Sequence, residues 1–217
     1  MKRIFFIILL LIAIPVLADD ELLMTKGFLK VGPFVAGKGG VNTIDPPQGI
    51  KNGFAVVPLP DFGVTILVPF TPNGQTGAVL DLAYSSYAYQ LKIYGNEDVN
   101  WVERFSYFNI GPSFYFSGFT AGLNIGFPMG GQISESKNSP QRDIKSEDMA
   151  MLLELKIGAL LELINTSAGS LNFIIQGGYA LSGLYSSESF RFNPQPAQLS
   201  LGLNFLFNTV NIHEDDY

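Results

Sequence analysis

The sequence contains no cysteine and a single histidine, His213. Without thiols there is no disulfide framework, no thiolate zinc site, no cysteine nucleophile and no acylated-cysteine lipid anchor. One histidine excludes every site that needs two. Charge is scarce as well: 15% of the 217 residues are charged against 47% hydrophobic, and the mean hydropathy is +0.24. The balance is acidic, with 13 basic and 19 acidic side chains and a net charge of −6. The basic stripe that a nucleic-acid partner requires is therefore missing. Beyond the first 18 residues no apolar run reaches the roughly 20 residues of a membrane helix. With 23 Gly and 13 Pro, the chain does not read as a bundle of such helices either. Its length suits one domain, or two small ones at most.

What is present begins with an address. Lys2 and Arg3 precede an apolar run from Ile4 to Ile14, and Val16 and Ala18 hold the small-residue positions ahead of Asp19-Asp20-Glu21. These are the three parts of a secretory signal peptide spanning residues 1–18, with cleavage expected between Ala18 and Asp19. Removal takes away two basic residues, leaving 11 against 19 acidic ones, a net of −8. The mature chain, 19–217, is expected to be an exported acidic protein.

The rest is dominated by a period of two. Leu199, Leu201, Leu203, Phe205 and Phe207 alternate with Ser200, Gly202 and Asn204, with Leu206 the one exception. Phe119, Ala121, Leu123, Ile125 and Phe127 alternate in the same way with Thr120, Gly122, Asn124 and Gly126. Successive side chains of a strand point to opposite faces, so each segment has one apolar face and one small-polar face. The same pattern predicts strands near 25–36, 61–70, 76–91, 103–117, 119–128, 149–164, 170–183 and 197–208. The segment 149–164 is rich in helix formers, and a buried helix is its alternative reading. A helix would scatter Glu154, Lys156 and Glu162 around its axis, whereas a strand puts all three on one face, so strand is preferred. Residues 71–75, 117–118 and 165–169 read as tight turns, and 37–60, 92–102, 129–148 and 184–196 as longer connections.

Connections that alternate long and short suit an up-and-down barrel with one rim in the periplasm and one outside. A soluble eight-stranded barrel would turn its polar face to water and charge it densely. Here that face is mostly Gly, Ser, Thr and Asn, which suits a narrow lumen. The apolar face carries Phe62, Phe70, Phe114, Phe116, Phe119 and Phe127 near strand ends, as two interfacial girdles would. The fold class predicted is all-β: a transmembrane up-and-down antiparallel β-barrel of eight strands, closed because lipid cannot satisfy an open edge.

On these residues the chain resembles the small outer membrane β-barrel proteins of Gram-negative bacteria, the group holding the OmpX-like, OmpW-like and OmpA-domain barrels. The segment Ser200-Leu201-Gly202-Leu203-Asn204-Phe205-Leu206-Phe207 is similar to the last-strand assembly signal of that class, with Ser200, Gly202, Phe205 and Phe207 at its defining positions. Many members end at the final aromatic, whereas here residues 208–217 follow as a short tail, expected to be periplasmic from 209. The resemblance implies outer membrane lipid and the barrel-assembly machinery as partners, and no cofactor. It also brings in lipid A-modifying enzymes, whose familiar kinds use a histidine. His213 sits in the acidic tail beside Glu214, Asp215 and Asp216, so no catalytic, cofactor or metal residue is assigned and the chain is not read as an enzyme.

The inward charges Lys30, Asp81, Glu154, Lys156 and Glu162 are expected to form a polar network in the lumen, since eight strands leave an interior just wide enough for their own side chains. An ion path is the alternative. The connections 37–60 and 129–148 could meet an unknown external ligand, the first also lining a hydrophobic entrance, or be plain extensions. An envelope-integrity or surface-interaction role is preferred. A passive route for small hydrophobic compounds, suggested by the OmpW-like members, comes second and a lipid-modifying enzyme a distant third.

Overall fold

The computed structural model describes residues 27–135, 141–186 and 192–212. Residues 1–18, expected as a signal peptide, the expected cleavage point Ala18–Asp19 and His213 lie outside them. Ten strands form: β1 Phe28–Asn42, β2 Ile50–Val56, β3 Asp61–Pro69, β4 Thr76–Ile93, β5 Asn96–Phe116, β6 Phe119–Glu135, β7 Arg142–Ile144, β8 Leu152–Thr166, β9 Gly169–Ala180 and β10 Pro196–Asn211. One 3-10 turn covers Ser146–Asp148. All pairings are antiparallel. Each ring strand pairs with its neighbour in the order β1, β3, β4, β5, β6, β8, β9, β10, and β10 pairs back onto β1. Eight strands therefore close a barrel, and β2 and β7 are short additions at its long-loop end.

Alternation sets the two faces of that barrel. On β3 the even residues Phe62, Val64, Ile66 and Val68 turn outward while Asp61, Thr65 and Leu67 are buried inside. On β8 Leu153, Leu155 and Ile157 are exposed, whereas Glu154 and Lys156 are buried. That segment is a strand, and its helix-forming composition is overridden by the ladder on both sides.

Tight turns close one end. Ser117 (φ 46°) and Gly118 (φ 89°) both take the left-handed region that a two-residue hairpin requires.

Four segments differ from expectation, the first being 129–135, expected in a loop, which continues β6 to Glu135 in register with Trp101. Residues 92–102 are not a long loop: β4 and β5 pair from Thr76↔Phe116 to Ile93↔Asn96 and turn at Tyr94 and Gly95 (φ 77°). Gly95 supplies the left-handed backbone of the reversal, and β2 pairs along the same hairpin from Ile50↔Ile93 to Gly53↔Gln90. Likewise β1 runs on to Asn42, where glycine lets neighbours close in. A Cβ on Gly39 would strike the Phe54 ring, and one on Gly40 would lie 2.8 Å from the Ala88 carbonyl. At the other terminus β10 extends to Asn211, pairing Val210 with Leu29 and Asn211 with Phe28. Residues 209–211 thus belong to the sheet.

Candidate functional site: the closed lumen

The outward surface carries the membrane contact. Exposed Phe62, Phe108 and Phe127 ring one level of the barrel, and Phe70, Phe114, Phe116 and Phe207 another. Phe62 stacks on Tyr84 at 5.3 Å, and Phe70 meets Phe114 at 6.5 Å. The eight-residue step from Phe108 to Phe116, at ~3.4 Å per residue and a tilt of ~40°, separates the levels by roughly 20 Å. An apolar band flanked by aromatic girdles, on a closed antiparallel ring with short turns at one end, is the architecture of a bacterial outer membrane barrel. The chain spans that membrane with strands, and the tight turns mark the periplasmic rim.

The lumen is closed in three tiers. At the periplasmic end Leu67, Val79 and Leu206 form an apolar plug, with Tyr115 and Leu160 packed against it. Leu206, the exception in the alternation of β10, points inward to build this plug. Lys30 is buried at the same end, in register with Leu67 and Asn208. At the outer end an aromatic cluster of Tyr87, Tyr89, Phe105 and Tyr107 is sealed by Ile144 of β7, Leu152 of β8, and Met149 and Leu184 from the connections. Glu103 accepts hydrogen bonds there from Tyr89 (2.5 Å) and Tyr185 (2.7 Å). Burial first, and then the Glu103 carboxylate, push the Tyr185 hydroxyl well above the usual tyrosine range. The two ends are closed mainly by apolar and aromatic packing, with Lys30 at one and Glu103 at the other, and the ion pairs lie between them.

The middle tier holds the charges. Lys156, 3% exposed, donates to Asp81 at 2.6 Å and to the Gly111 carbonyl at 3.2 Å, while Asp81 accepts from Thr65 at 2.7 Å. This pair crosses the barrel from β8 to β4. Glu154, 1% exposed, does not pair with Lys156. It accepts instead from Tyr87 (2.9 Å), Asn124 (2.7 Å) and Gln198. Tyr87 in turn accepts from Asn109 at 2.8 Å. A buried carboxylate satisfied by several donors is tolerable where an unsatisfied one is not.

A second ion pair joins Lys38 to Asp61, with Ser85 bridging them. The Lys38 ammonium also lies 4.1 Å from the centroid of the Tyr87 ring, a cation–π distance. Lys38 escapes the sequence reading because the first strand was expected to end at 36; Asp61, the first residue of the expected strand 61–70, was not counted among the inward charges. Their signal was parity: Lys38 is in phase with Lys30, and Asp61 with Thr65. Glu162 is brought to none of these groups. It is exposed at the periplasmic rim, beside a register shift in β8 between Glu162 and Ile164. The space left among the polar groups is about 50 Å³, room for roughly three or four waters.

Of the four residues expected to form an assembly signal, Ser200 is buried in register with Lys38. Gly202 lies on the closing seam, where a Cβ would come 2.6 Å from that of Ala36. Phe205 and Phe207 pack edge to face at 4.7 Å. Among the described residues no group of three His, Asp or Glu side chains could hold a metal ion.

No protein-family model matches the chain, and no curated protein matches it in sequence. Solved structures are similar in fold. Ail, the attachment invasion locus protein of Yersinia pestis, in complex with the heparin analogue sucrose octasulfate, is 13% identical over 82% of this chain and 99% of its own, with a TM-score of 0.41. Neisserial surface protein A is 9% identical over 82% and 96%, with a TM-score of 0.40. OprG of Pseudomonas aeruginosa is 11% identical over 84% and 98%, with a TM-score of 0.34.

Proposed function

We propose that this chain is a non-conducting outer membrane barrel that serves envelope integrity or surface interaction and has no catalytic role. The observation that supports it most is the filled lumen: two hydrophobic tiers enclose a polar tier with about 50 Å³ of space. A conducting barrel needs a continuous water path, and here ion pairs cross the polar tier while packed side chains close it above and below. Planar-bilayer recording of the full mature chain tests the reading. Silence is expected. Steady conductance would overturn it and favour a passive route for small compounds.

Two further readings complete the proposal. Residues 1–18 act as a cleaved signal peptide, and Ser200, Gly202, Phe205 and Phe207 act as the signal to the barrel-assembly machinery. The position of Gly202 on the β1–β10 seam supports the second, because that seam joins the first and last strands and so closes the ring.

A further inference from the structure

The outer face above the upper girdle is not plain. Between β2 and β3 the chain leaves the sheet: Val57 N–H donates to the Lys38 carbonyl at 2.9 Å, while Asp61 already pairs with Ala36. Residues 58–60 therefore stand out as a bulge. Leu59 on that bulge walls one side of a groove of about 550 Å³, and Gln132 and Asp143 stand on the other. Its floor is the outward face of β4 and β5. There Tyr84 OH donates to Ser106 Oγ at 2.7 Å, and Ser86 Oγ lies 3.3 Å from the same oxygen.

Arg104 lies on this floor too. Its Nη1 donates to Ser134 Oγ at 3.3 Å, but its Nε is buried with no partner. Among the described residues it forms no ion pair. The enclosed Nε is out of a ligand's reach, so an anion in the groove meets the Nη groups, which no carboxylate among the described residues holds. Height narrows the choice of anion. Arg104 is four residues beyond Phe108 of the upper girdle, which places its backbone roughly 10 Å above the apolar band, at headgroup level. Just below, Phe108, Met129 and Leu59 are exposed and continue the groove as apolar surface.

We propose that this groove binds a phosphorylated lipid of the outer leaflet. The phosphate sits on Arg104 and the Ser86–Ser106 hydroxyls, and an acyl chain lies across Phe108 and Met129. A phosphate offers several acceptor oxygens, which the guanidinium fork can take in pairs. Asp143 opposes it from the far wall and sets a limit on affinity. The proposal rests on the outer membrane placement but not on the closed lumen, so a conducting barrel would leave it standing.

The test uses the folded full chain in phosphatidylcholine nanodiscs doped with phosphatidic acid, with retained lipid counted by native mass spectrometry. Phosphatidic acid is expected to be retained in preference to diacylglycerol of the same chains. Arg104→Gln should lower that retention by about tenfold or more, the effect of losing a charge-assisted hydrogen bond, and Arg104→Lys should keep part of it. Asp143→Asn should raise it severalfold, giving a second readout should Arg104→Gln fail to fold, as judged by the mobility of unboiled protein. Arg142→Gln, an exposed basic change outside the groove, should leave it unaltered. Equal retention by wild type and Arg104→Gln, an equal loss in Arg142→Gln, or full displacement by millimolar inorganic phosphate would each overturn the assignment.

Discussion

The ion pair between Lys156 and Asp81 offers a measurable consequence of lumen chemistry. Lys156→Met keeps the length of the side chain and removes its charge, leaving the Asp81 carboxylate in the lumen with one hydrogen bond, from Thr65. Removing one partner of a fully buried pair costs about 3–5 kcal/mol. Asp81 is 22% exposed along its side chain, so water reaches it in part and the expected loss is nearer about 2–3 kcal/mol. Adding Asp81→Asn to that variant removes the stranded charge while keeping an acceptor for Thr65. Apolar or neutral replacement of a whole pair is often close to neutral, so the double variant should lie within about 1 kcal/mol of wild type.

The assay is urea unfolding of the chain in lipid vesicles, followed by emission of Trp101, the single tryptophan, and by gel mobility of unboiled samples. The four-way cycle isolates the interaction, which should exceed the ~0.5 kcal/mol scatter of independent sites. If the two single losses simply add in the double variant, the pair is not an energetic unit and the account of the polar tier fails.

Other consequences can be checked separately. In cells the mature protein should fractionate with the outer membrane and migrate differently when boiled and unboiled; recovery as soluble periplasmic protein would contradict the barrel. Phe207→Ala combined with Gly202→Ala should lower the inserted amount severalfold, because a girdle ring is lost and a Cβ is forced against Ala36 on the seam; unchanged insertion would move the assembly signal elsewhere. For Tyr185 the folded hydroxyl is raised above its unfolded value, so its contribution is complete below about pH 10 and is lost as pH climbs beyond that towards the folded value. Tyrosinate absorbance should show a late-titrating fraction, and Tyr185→Phe should reduce it.

The wall of the barrel was legible because its chemistry is written at period two. Val64, Ile66 and Val68 or Leu199, Leu201 and Leu203 need no partner to reveal their face; lipid supplies the contact. The top of the barrel was harder, since it leaves the membrane and the alternation no longer separates apolar from polar. Tyr87, Tyr89, Phe105 and Tyr107 point inward there and are apolar, opposite to the polar interior below. Gly37, Gly39 and Gly40 read as a loop in isolation. They are strand because they pair with Leu201, Leu199 and Gln198 of β10, and at Gly39 and Gly40 the Phe54 ring and the Ala88 carbonyl occupy the space a side chain would have taken.

Within the lumen, parity tells which residues point inward but not which of them are level. Asp81 pairs with Gly111, Ile110 pairs with Ile125, and Asn124 pairs with Glu154. Following these ladders from β4 to β8 aligns Asp81 with Glu154, two acids. Yet the salt bridge runs to Lys156, two residues further along β8 towards the periplasm. Strand tilt accounts for the difference: closing a barrel staggers the strands, so residues on one hydrogen-bonding row climb as the row goes round. Glu154 is carried above Asp81, to the level of Tyr87 and Gln198, and Lys156 comes down to meet the carboxylate across the lumen. The route is open because Gly111 lies between them; a Cβ there would sit 2.6 Å from the Lys156 ammonium. Gly111→Val should therefore break the cross-barrel pair without touching either charge. Its stability loss should shrink when Lys156→Met and Asp81→Asn are already present, and a loss of the same size in both backgrounds would refute the stagger argument.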